Sequence, residues 1–231
     1  MSRTHRSSQQ RPSPRSPRGQ PEPRRRLPLV AIMVGVVVVL LVGTVIVSVL
    51  TNDNGGSSGP ASISQVRPVK VDGTPLPSFT GDSTDPAVGL TAPRVDGAGF
   101  DGTAESIGGK TDKPTLIMFV AHWCPHCQRE VPRVVEWRAN GVIPEAVNLV
   151  IVSTSVVPER GNYPASTWLS DAGWTGRIMA DDASSTGALA YGLTSFPYFV
   201  ALDADGTVVA RGSGELDQAA VEDLVQQLQA G

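Results

Sequence analysis

The 231-residue sequence contains only two cysteines and three histidines, and aromatic residues make up only 5% of it. Two cysteines are too few for a small domain stapled by several disulfides. The low aromatic content and the 19 prolines indicate that part of the chain lies outside any packed core. The formal net charge is only −3, but this small total combines two regions of opposite charge.

The first region is a basic tail. Residues 1–26 contain eight arginines and a single acid, Glu22, for a local charge of +7. The other 205 residues carry 11 basic and 21 acidic side chains, for a local charge of −10. We expect the tail to be disordered because its Arg, Pro, Ser and Gln composition cannot bury a core. It has no aromatic residue, so a nucleic-acid partner is not expected, and anionic lipid is a minor alternative.

An uncharged apolar run of 24 residues, 27–50, follows the tail. As a helix rising about 1.5 Å per residue it would reach about 36 Å, enough to cross a hydrocarbon core roughly 30 Å thick. The run is longer than the apolar part of a signal peptide and ends without a small-x-small cleavage site, so an anchor retained in the lipid bilayer is favoured over cleavage. The arginines before it predict a single-pass cell-membrane protein with a cytoplasmic N-terminus and the remaining chain outside the cytoplasm.

The rest of the chain divides into a linker and a domain. Residues 51–91 are rich in Gly, Ser, Thr, Pro and Asp without a sustained period, which predicts a flexible linker. Residues 92–231 alternate strand-length apolar runs with amphipathic segments of helix length, as expected of one folded domain.

The order of these segments predicts an α/β fold with a mixed sheet covered by helices on both faces. Two continuous apolar runs, 115–121 and 147–153, predict strands buried on both faces. Between them, residues 125–139 suit a helix, with Pro125 in its first turn. The later predictions are helices at 163–172 and 184–191, strands at 177–180, 198–202 and 207–211, a hairpin turn at 203–206, and a final helix capped by Asp217.

Both cysteines lie where the first of these strands passes into the helix. With Cys124 at the helix N-cap and Cys127 three residues on, the two sulfurs share one side of the first turn. Unpaired amides and the helix dipole stabilise a thiolate there, so Cys124 is the predicted nucleophile and Cys127 the resolving cysteine. Pro125 and His126 are expected to tune the couple, since a protonated or hydrogen-bonding His126 favours the reduced state.

Other uses of the cysteine pair are weaker. A structural disulfide closing so short a loop would restrict the unfolded chain little. A zinc site needs four ligands, and the domain adds only His122 and His126, which are too close in sequence to surround an ion tetrahedrally. We therefore expect redox chemistry, with neither a metal nor an organic cofactor. His122 is expected to be a solvated neighbour of the site.

The sequence resembles thioredoxin-like proteins, and among them the membrane-anchored extracytoplasmic oxidoreductases of the TlpA/ResA type. The resemblance covers about 140 residues. It rests on Ala92-Pro93, residues 123–127 (Trp-Cys-Pro-His-Cys), residues 130–132 (Glu-Val-Pro), Phe196-Pro197 and Asp205-Gly206. It implies that Pro197 is cis and faces the cysteines, that the backbone of Phe196 pairs with the substrate, and that Trp123 covers the sulfurs and offers a surface to the partner.

Two departures from the family pattern matter. The position six residues before the first cysteine, a buried aspartate in thioredoxins, is Met118 here; Glu130 either substitutes for it in part or lies exposed on the helix. The Pro-His dipeptide between the cysteines resembles oxidants of the DsbA type rather than TlpA-type reductants, although the chain leaves no room for the helical insertion of DsbA-type proteins.

Together these features predict a membrane-tethered extracytoplasmic thiol-disulfide oxidoreductase that exchanges disulfides with protein substrates and favours the oxidant or isomerase direction. The expected partners are protein thiols and disulfides and an unidentified membrane or extracytoplasmic redox partner, and we expect a monomer. The alternative is a dedicated reductant or a metallochaperone-type partner in cytochrome or copper-site assembly. A thiol peroxidase is disfavoured because no peroxidatic Thr/Cys arrangement is present.

Overall fold

The computed structural model describes residues 62–82 and 84–230. The strands in this part of the chain are β1 (Lys70–Asp72), β2 (Arg94–Ala98), β3 (Ala104–Ile107), β4 (Thr115–Val120), β5 (Asn148–Ser153), β6 (Arg177–Ala180), β7 (Tyr198–Leu202) and β8 (Val208–Ser213). The helices are α1 (Pro125–Ala139), α2 (Ala165–Asp171), α3 (Thr186–Ala190) and α4 (Gln218–Ala230).

The strands form one mixed sheet in the order β1-β2-β6-β5-β4-β7-β8, with β3 also paired to β2. Strands β4, β5 and β6 are parallel, whereas β7 is antiparallel to β4 and β8 is antiparallel to β7. Helix α1 provides the crossover between the parallel strands β4 and β5, as such a connection requires. The predicted mixed α/β sheet is therefore confirmed.

Strand β4 lies at the centre of the fold and is buried on both faces. Its even-numbered residues, including Met118, face one apolar cluster together with side chains of α1, α2 and α4. Its odd-numbered residues, including Phe119, face a second cluster that contains side chains from α3 and from the chain before β2. Helices consequently cover both faces of the sheet, and the continuous apolar run follows from this double burial.

The hairpin and the final helix follow the sequence prediction. The Asp203 carboxylate accepts hydrogen bonds from the amides of Asp205 (2.9 Å) and Thr207 (2.8 Å), which holds the turn between β7 and β8. The Asp217 carboxylate accepts the amide of Ala220 at 2.9 Å, as expected of a helix cap. Short apolar and polar patterns with their own turn chemistry were therefore sufficient to place these elements.

The flexible linker predicted for residues 51–91 is wrong for residues 62–91. Strand β1 lies in this stretch and joins the sheet, and Leu76 is buried. Arg211 of β8, whose side chain is fully buried, forms an ion pair with Asp85. This pairing lowers the pKa of the Asp85 carboxyl.

Strands β1 to β3 were missed because they are short and carry no continuous or alternating apolar pattern. The strands are three to five residues long, and their polar and glycine residues give no alternating pattern. They are stabilised by antiparallel pairing with one another and by the Ala98 to Ala180 contact of β2 with β6. The folded domain consequently starts well before residue 92.

The basic tail (1–26), the apolar run (27–50) and residues 51–61 lie outside the described residues. Within residues 62–82 and 84–230, no helix has the length and apolar character needed to cross a bilayer.

Candidate active site

Both cysteines lie at the junction of β4 and α1. Cys124 is the N-cap of α1, with an extended backbone (φ −80°, ψ 117°), and Cys127 lies in the first turn. Pro125 starts the helix, where its missing N–H leaves no hydrogen bond unmade. Every residue of β4 is buried, so the strand fixes the position at which this turn begins. The predicted N-cap placement of Cys124 is confirmed.

The two thiols differ in their access to solvent. Both are free, and Cys124 is 5% exposed whereas Cys127 is 0% exposed. Burial raises the pKa of the Cys127 thiol far above its ordinary value, and the adjacent Cys124 and the charge of Glu130 raise it further. A thiolate is therefore disfavoured at Cys127, and Cys124 is the more exposed of the two buried sulfurs.

Phe196 and Pro197 lie opposite Cys124. The peptide bond between them is cis, as the resemblance implies, and the Cys124 Sγ lies 4.0 Å from the Phe196 carbonyl oxygen. The Phe196 ring also meets the indole of Trp123 edge-on, with centroids 5.9 Å apart. The predicted substrate-binding residues thus surround the accessible thiol.

The loop between β5 and α2, residues 154–164, forms one wall of the site and was not predicted. The Trp123 indole N–H donates to the Ser155 carbonyl at 2.7 Å. On the face of the same indole, the Arg160 Cζ lies 3.8 Å from the ring centroid. The position of this loop beside the cysteines could have been predicted, because the carboxyl ends of the parallel strands β4 and β5 lie at the same edge of the sheet.

His122 holds the 154–164 loop from inside the protein. It is fully buried, so the expectation of a solvated neighbour is wrong. Its Nδ1–H donates to the Gly161 carbonyl at 2.8 Å, and its Nε2 accepts the Val157 amide at 3.2 Å. This pattern requires the neutral imidazole. Burial arises because the loop, far away in sequence, closes over the end of β4.

The loop between β8 and α4, residues 214–217, forms the opposite wall. Glu130 is fully buried, which excludes the exposed alternative. One of its carboxylate oxygens accepts the Leu216 amide at 2.9 Å, and the other accepts from Arg133 at 2.9 Å. Burial raises the pKa of Glu130. Because Glu130 is three residues from Cys127 on the helix, the two share a face.

His126 is exposed and belongs to a charged group at the site entrance. Its Nδ1 lies 2.7 Å from a Glu215 carboxylate oxygen, and Arg129 donates to the same oxygen at 3.0 Å. Arg129 and His126 together lower the pKa of Glu215 to about 2. No sequence motif marked Glu215, since its position follows only from the way the 214–217 loop returns to α1.

Within residues 62–82 and 84–230, no cluster of three His, Cys, Asp or Glu side chains could hold a metal ion. The arrangement instead suits thiol chemistry: one accessible thiol at a helix N-terminus, a second beneath it, and a buried carboxyl on the same helix face as the second thiol.

A family model described as Redoxin matches residues 72–228, which include both cysteines. Among curated proteins, the methylamine utilization protein MauD of Paracoccus versutus is 28% identical over 127 residues, covering 55% of this chain and 59% of that protein. The MauD protein of Methylorubrum extorquens is 30% identical over 129 residues, covering 55% and 58%. The chain therefore spans less than two thirds of the length of these relatives.

Solved structures share the fold. The thiol:disulfide interchange protein DsbE of Chlorobium tepidum has a TM-score of 0.51 at 24% identity, covering 62% of this chain and 96% of that chain. A thioredoxin of Neisseria meningitidis has a TM-score of 0.50 at 22% identity, covering 61% and 90%. These likenesses confirm the thioredoxin-like fold inferred from the sequence.

Proposed function

The chain belongs to the Redoxin family, and from this membership and the geometry of the cysteine pair we propose that it is a protein thiol-disulfide oxidoreductase. The observation that carries the proposal is the pairing of an accessible N-cap thiol, Cys124, with a fully buried thiol, Cys127, whose pKa is raised. Phe196 and Pro197 supply a backbone edge opposite the first thiol.

The reaction is exchange through a mixed disulfide. In the reducing direction, the Cys124 thiolate attacks one sulfur of a substrate disulfide, the substrate S–S bond breaks, and the released substrate thiolate takes a proton. Cys127 then loses its proton and attacks the Cys124 sulfur, which releases the second substrate thiol and leaves the Cys124–Cys127 disulfide. In the oxidising direction, a substrate thiolate attacks Cys124 of that disulfide and the same steps run backwards.

Glu130 is the group suited to accept the proton of Cys127. The Cys127 pKa is raised mainly by burial, so resolution needs a nearby base. Glu130 is buried, interacts with Cys127 electrostatically, and has a raised pKa of its own. Thioredoxins carry a buried aspartate at the position of Met118, which is apolar and buried in β4 here. Glu130 supplies the buried carboxyl that this position lacks.

The oxidant or isomerase direction is favoured by His126. A cation beside the first helical turn stabilises the Cys124 thiolate, hence the reduced form, and makes the disulfide more oxidising. The Glu215 carboxylate lies 2.7 Å from the His126 Nδ1 and also accepts from Arg129, so the imidazole belongs to a group of charged side chains beside the first helical turn. Equilibration with glutathione measures the reduction potential. A value near that of thioredoxin, about −270 mV, contradicts the oxidant direction, whereas one approaching that of DsbA, about −120 mV, supports it.

We place the domain outside the cytoplasm, tethered to the cell membrane by residues 27–50 with the N-terminus inside. Support comes from the length of the uncharged run and from the eight arginines that precede it. Protease added to intact spheroplasts is expected to remove the domain and to spare the N-terminal tail. Protection of the domain until the cells are lysed would contradict this topology.

Activity is tested by insulin reduction and by refolding of a scrambled disulfide protein, with the full chain and its Cys124→Ser variant. Cys124→Ser is expected to abolish both reactions. Cys127→Ala is expected to accumulate mixed disulfides because the resolving thiol is absent, and the proteins trapped in this way identify the substrates. Equal activity of the wild type and Cys124→Ser contradicts the proposal.

A second candidate is dedicated service to the assembly of one redox protein, as a reductant or a metallochaperone-type partner. The observation favouring it is that the curated relatives are named for methylamine utilization, a single metabolic process. Trapping with Cys127→Ala separates the candidates. One dominant mixed disulfide supports service to a dedicated partner, whereas many different mixed disulfides support a general oxidoreductase. Tight anaerobic binding of one copper ion, lost in Cys127→Ser, would support metal delivery.

A further inference from the structure

Arg160 differs from every other arginine that the structure describes. Each of the other seven donates a side-chain hydrogen bond to a carboxylate or to a backbone carbonyl: Arg67, Arg94, Arg129, Arg133, Arg138, Arg177 and Arg211. Among residues 62–82 and 84–230, none of the ion pairs with N···O distances up to 4.0 Å includes Arg160 or its neighbour Glu159. Arg160 is also exposed, so its donors are available to another molecule.

The Arg160 guanidinium is nevertheless held in place. Its Cζ lies 3.8 Å from the centroid of the Trp123 ring, so one face of the guanidinium rests on the indole. The N–H donors lie in the guanidinium plane and point away from its edges, so stacking leaves them free. Such an edge matches a carboxylate, which can accept two parallel N–H bonds.

The backbone on both sides of Arg160 is fixed as well. His122 binds the amide of Val157 and the carbonyl of Gly161, and these two residues bracket the turn that carries Arg160. The Arg160 amide donates to the Val157 carbonyl at 3.0 Å. Little ordering of the loop is therefore needed when a partner binds, which favours specific recognition.

Arg160 contacts the residue that directly precedes the reacting cysteine. Trp123 directly precedes Cys124, and the same indole is contacted by Phe196, whose carbonyl faces the Cys124 sulfur. An extended chain advances about 3.3 to 3.6 Å per residue. Three residues on either side of a substrate cysteine therefore extend roughly 10 Å from the Cys124 sulfur, a length comparable to that of the Trp123 side chain and the guanidinium in contact with it.

We propose that Arg160 binds an Asp or Glu side chain of the substrate, located within about three residues of the substrate cysteine. The inference rests on the proposed function and deepens it by naming a substrate feature. Residues 27–231 carry a net charge of −10, so the domain as a whole repels acidic chains. A stacked arginine without a carboxylate partner provides local attraction where the substrate must bind.

The test uses peptides with a single cysteine carried as a mixed disulfide with 2-thiopyridine. The Cys124 thiolate attacks the peptide sulfur, the bond to the pyridine sulfur breaks, and 2-thiopyridone is released and followed by absorbance. Each peptide carries one Glu at one of the three positions on either side of the cysteine, and each has a twin with Gln there. The proteins are the reduced full chain, Arg160→Gln, Arg160→Lys and Arg94→Gln, which removes an exposed arginine outside the site as a charge-matched control.

We expect wild type to react about threefold to fivefold faster with the Glu peptide than with its Gln twin for at least one position, as an exposed ion pair permits. Arg160→Gln brings that ratio to one, Arg160→Lys retains part of it, and Arg94→Gln leaves it unchanged. Because each ratio is measured within one protein, a general loss of reactivity in Arg160→Gln does not obscure the result.

The proposal is overturned if no Glu-to-Gln ratio falls in Arg160→Gln, or if Arg94→Gln lowers the ratios to the same extent. Failure of the proposed function looks different: the wild type would then release 2-thiopyridone from every peptide no faster than Cys124→Ser does.

Discussion

The two loops that flank the cysteine pair are fixed in opposite ways. The 154–164 loop is held by a buried neutral imidazole, His122, through hydrogen bonds to its backbone. The 214–217 loop is held by charged groups: Glu130 and Arg133 bind the backbone of Leu216, and Glu215 binds Arg129 at the surface. The position of the 154–164 loop therefore depends on a buried neutral side chain, whereas the position of the 214–217 loop depends on charged side chains.

This difference separates two tasks of one active site. Hydrogen bonds between neutral groups respond little to salt, so the wall that carries Arg160 keeps its geometry across conditions. The charged wall lies beside Cys127, the thiol proposed to resolve the mixed disulfide, and responds to pH and ionic strength. Substitutions confined to one wall separate the two contributions.

His122→Ala is expected to have the largest effect on stability. It removes a fully buried ring and leaves the Val157 amide and the Gly161 carbonyl without partners, so the free energy of unfolding falls by about 3 kcal/mol. Urea unfolding measures this loss, and His126→Ala, which truncates an exposed histidine two residues after Cys124, serves as the control. Comparable losses in the two variants would mean that His122 does not hold the loop.

Glu130→Gln is expected to slow resolution of the mixed disulfide by about thirtyfold, equivalent to about 2 kcal/mol, because Cys127 loses its base. Stopped-flow kinetics separate this step from the first attack by Cys124, which should change little. A variant slowed equally in both steps would indicate that Glu130 only supports the 214–217 loop. A lost pH dependence of resolution, with the first step intact, would support the proton-accepting role.

Glu215 gives the charged wall a defined pH response. Its pKa in the folded protein is lowered to about 2, chiefly by Arg129 and then by His126, so its carboxylate binds fewer protons in the folded than in the unfolded chain. Its stabilising contribution is complete above the unfolded pKa of about 4.3 and is lost as the pH falls towards 2.

The difference in unfolding free energy between wild type and Glu215→Gln should therefore shrink between about pH 4.5 and pH 2. Urea unfolding at several pH values measures it. Arg129→Gln should flatten the same pH dependence by removing the largest cause of the lowered pKa. A constant difference across this range would show that the Glu215 ion pairs contribute nothing to folding.

The smallest predicted effect is a contrast in salt dependence. At 1 M salt the Debye length is about 3 Å, so the exposed ion pairs of Glu215 are screened. The loss of stability in Glu215→Gln should decrease at high salt, whereas the loss in His122→Ala should not. Unfolding of both variants at low and high salt tests this, and equal salt responses of the two would remove the distinction between the walls.

The elements nearest the cysteines were predictable because their information is local. The apolar run of β4 and the proline-initiated helix α1 required only neighbouring residues, and the motif located both thiols. The burial of His122 and Glu130 was not predictable, because each is covered by a loop that comes from a distant part of the sequence. Polar residues are buried where partners meet them, and hydropathy alone does not show those partners.

The ion pair between Arg211 and Asp85 sets a practical limit on which fragment of the chain can be prepared alone. The Arg211 side chain is fully buried, and a fragment starting at residue 92 would keep this guanidinium while discarding its carboxylate. Removing one member of a buried pair typically costs about 3 to 5 kcal/mol. A soluble fragment intended for crystallisation or assay should therefore begin at or before residue 62, even though the redox motif lies much later.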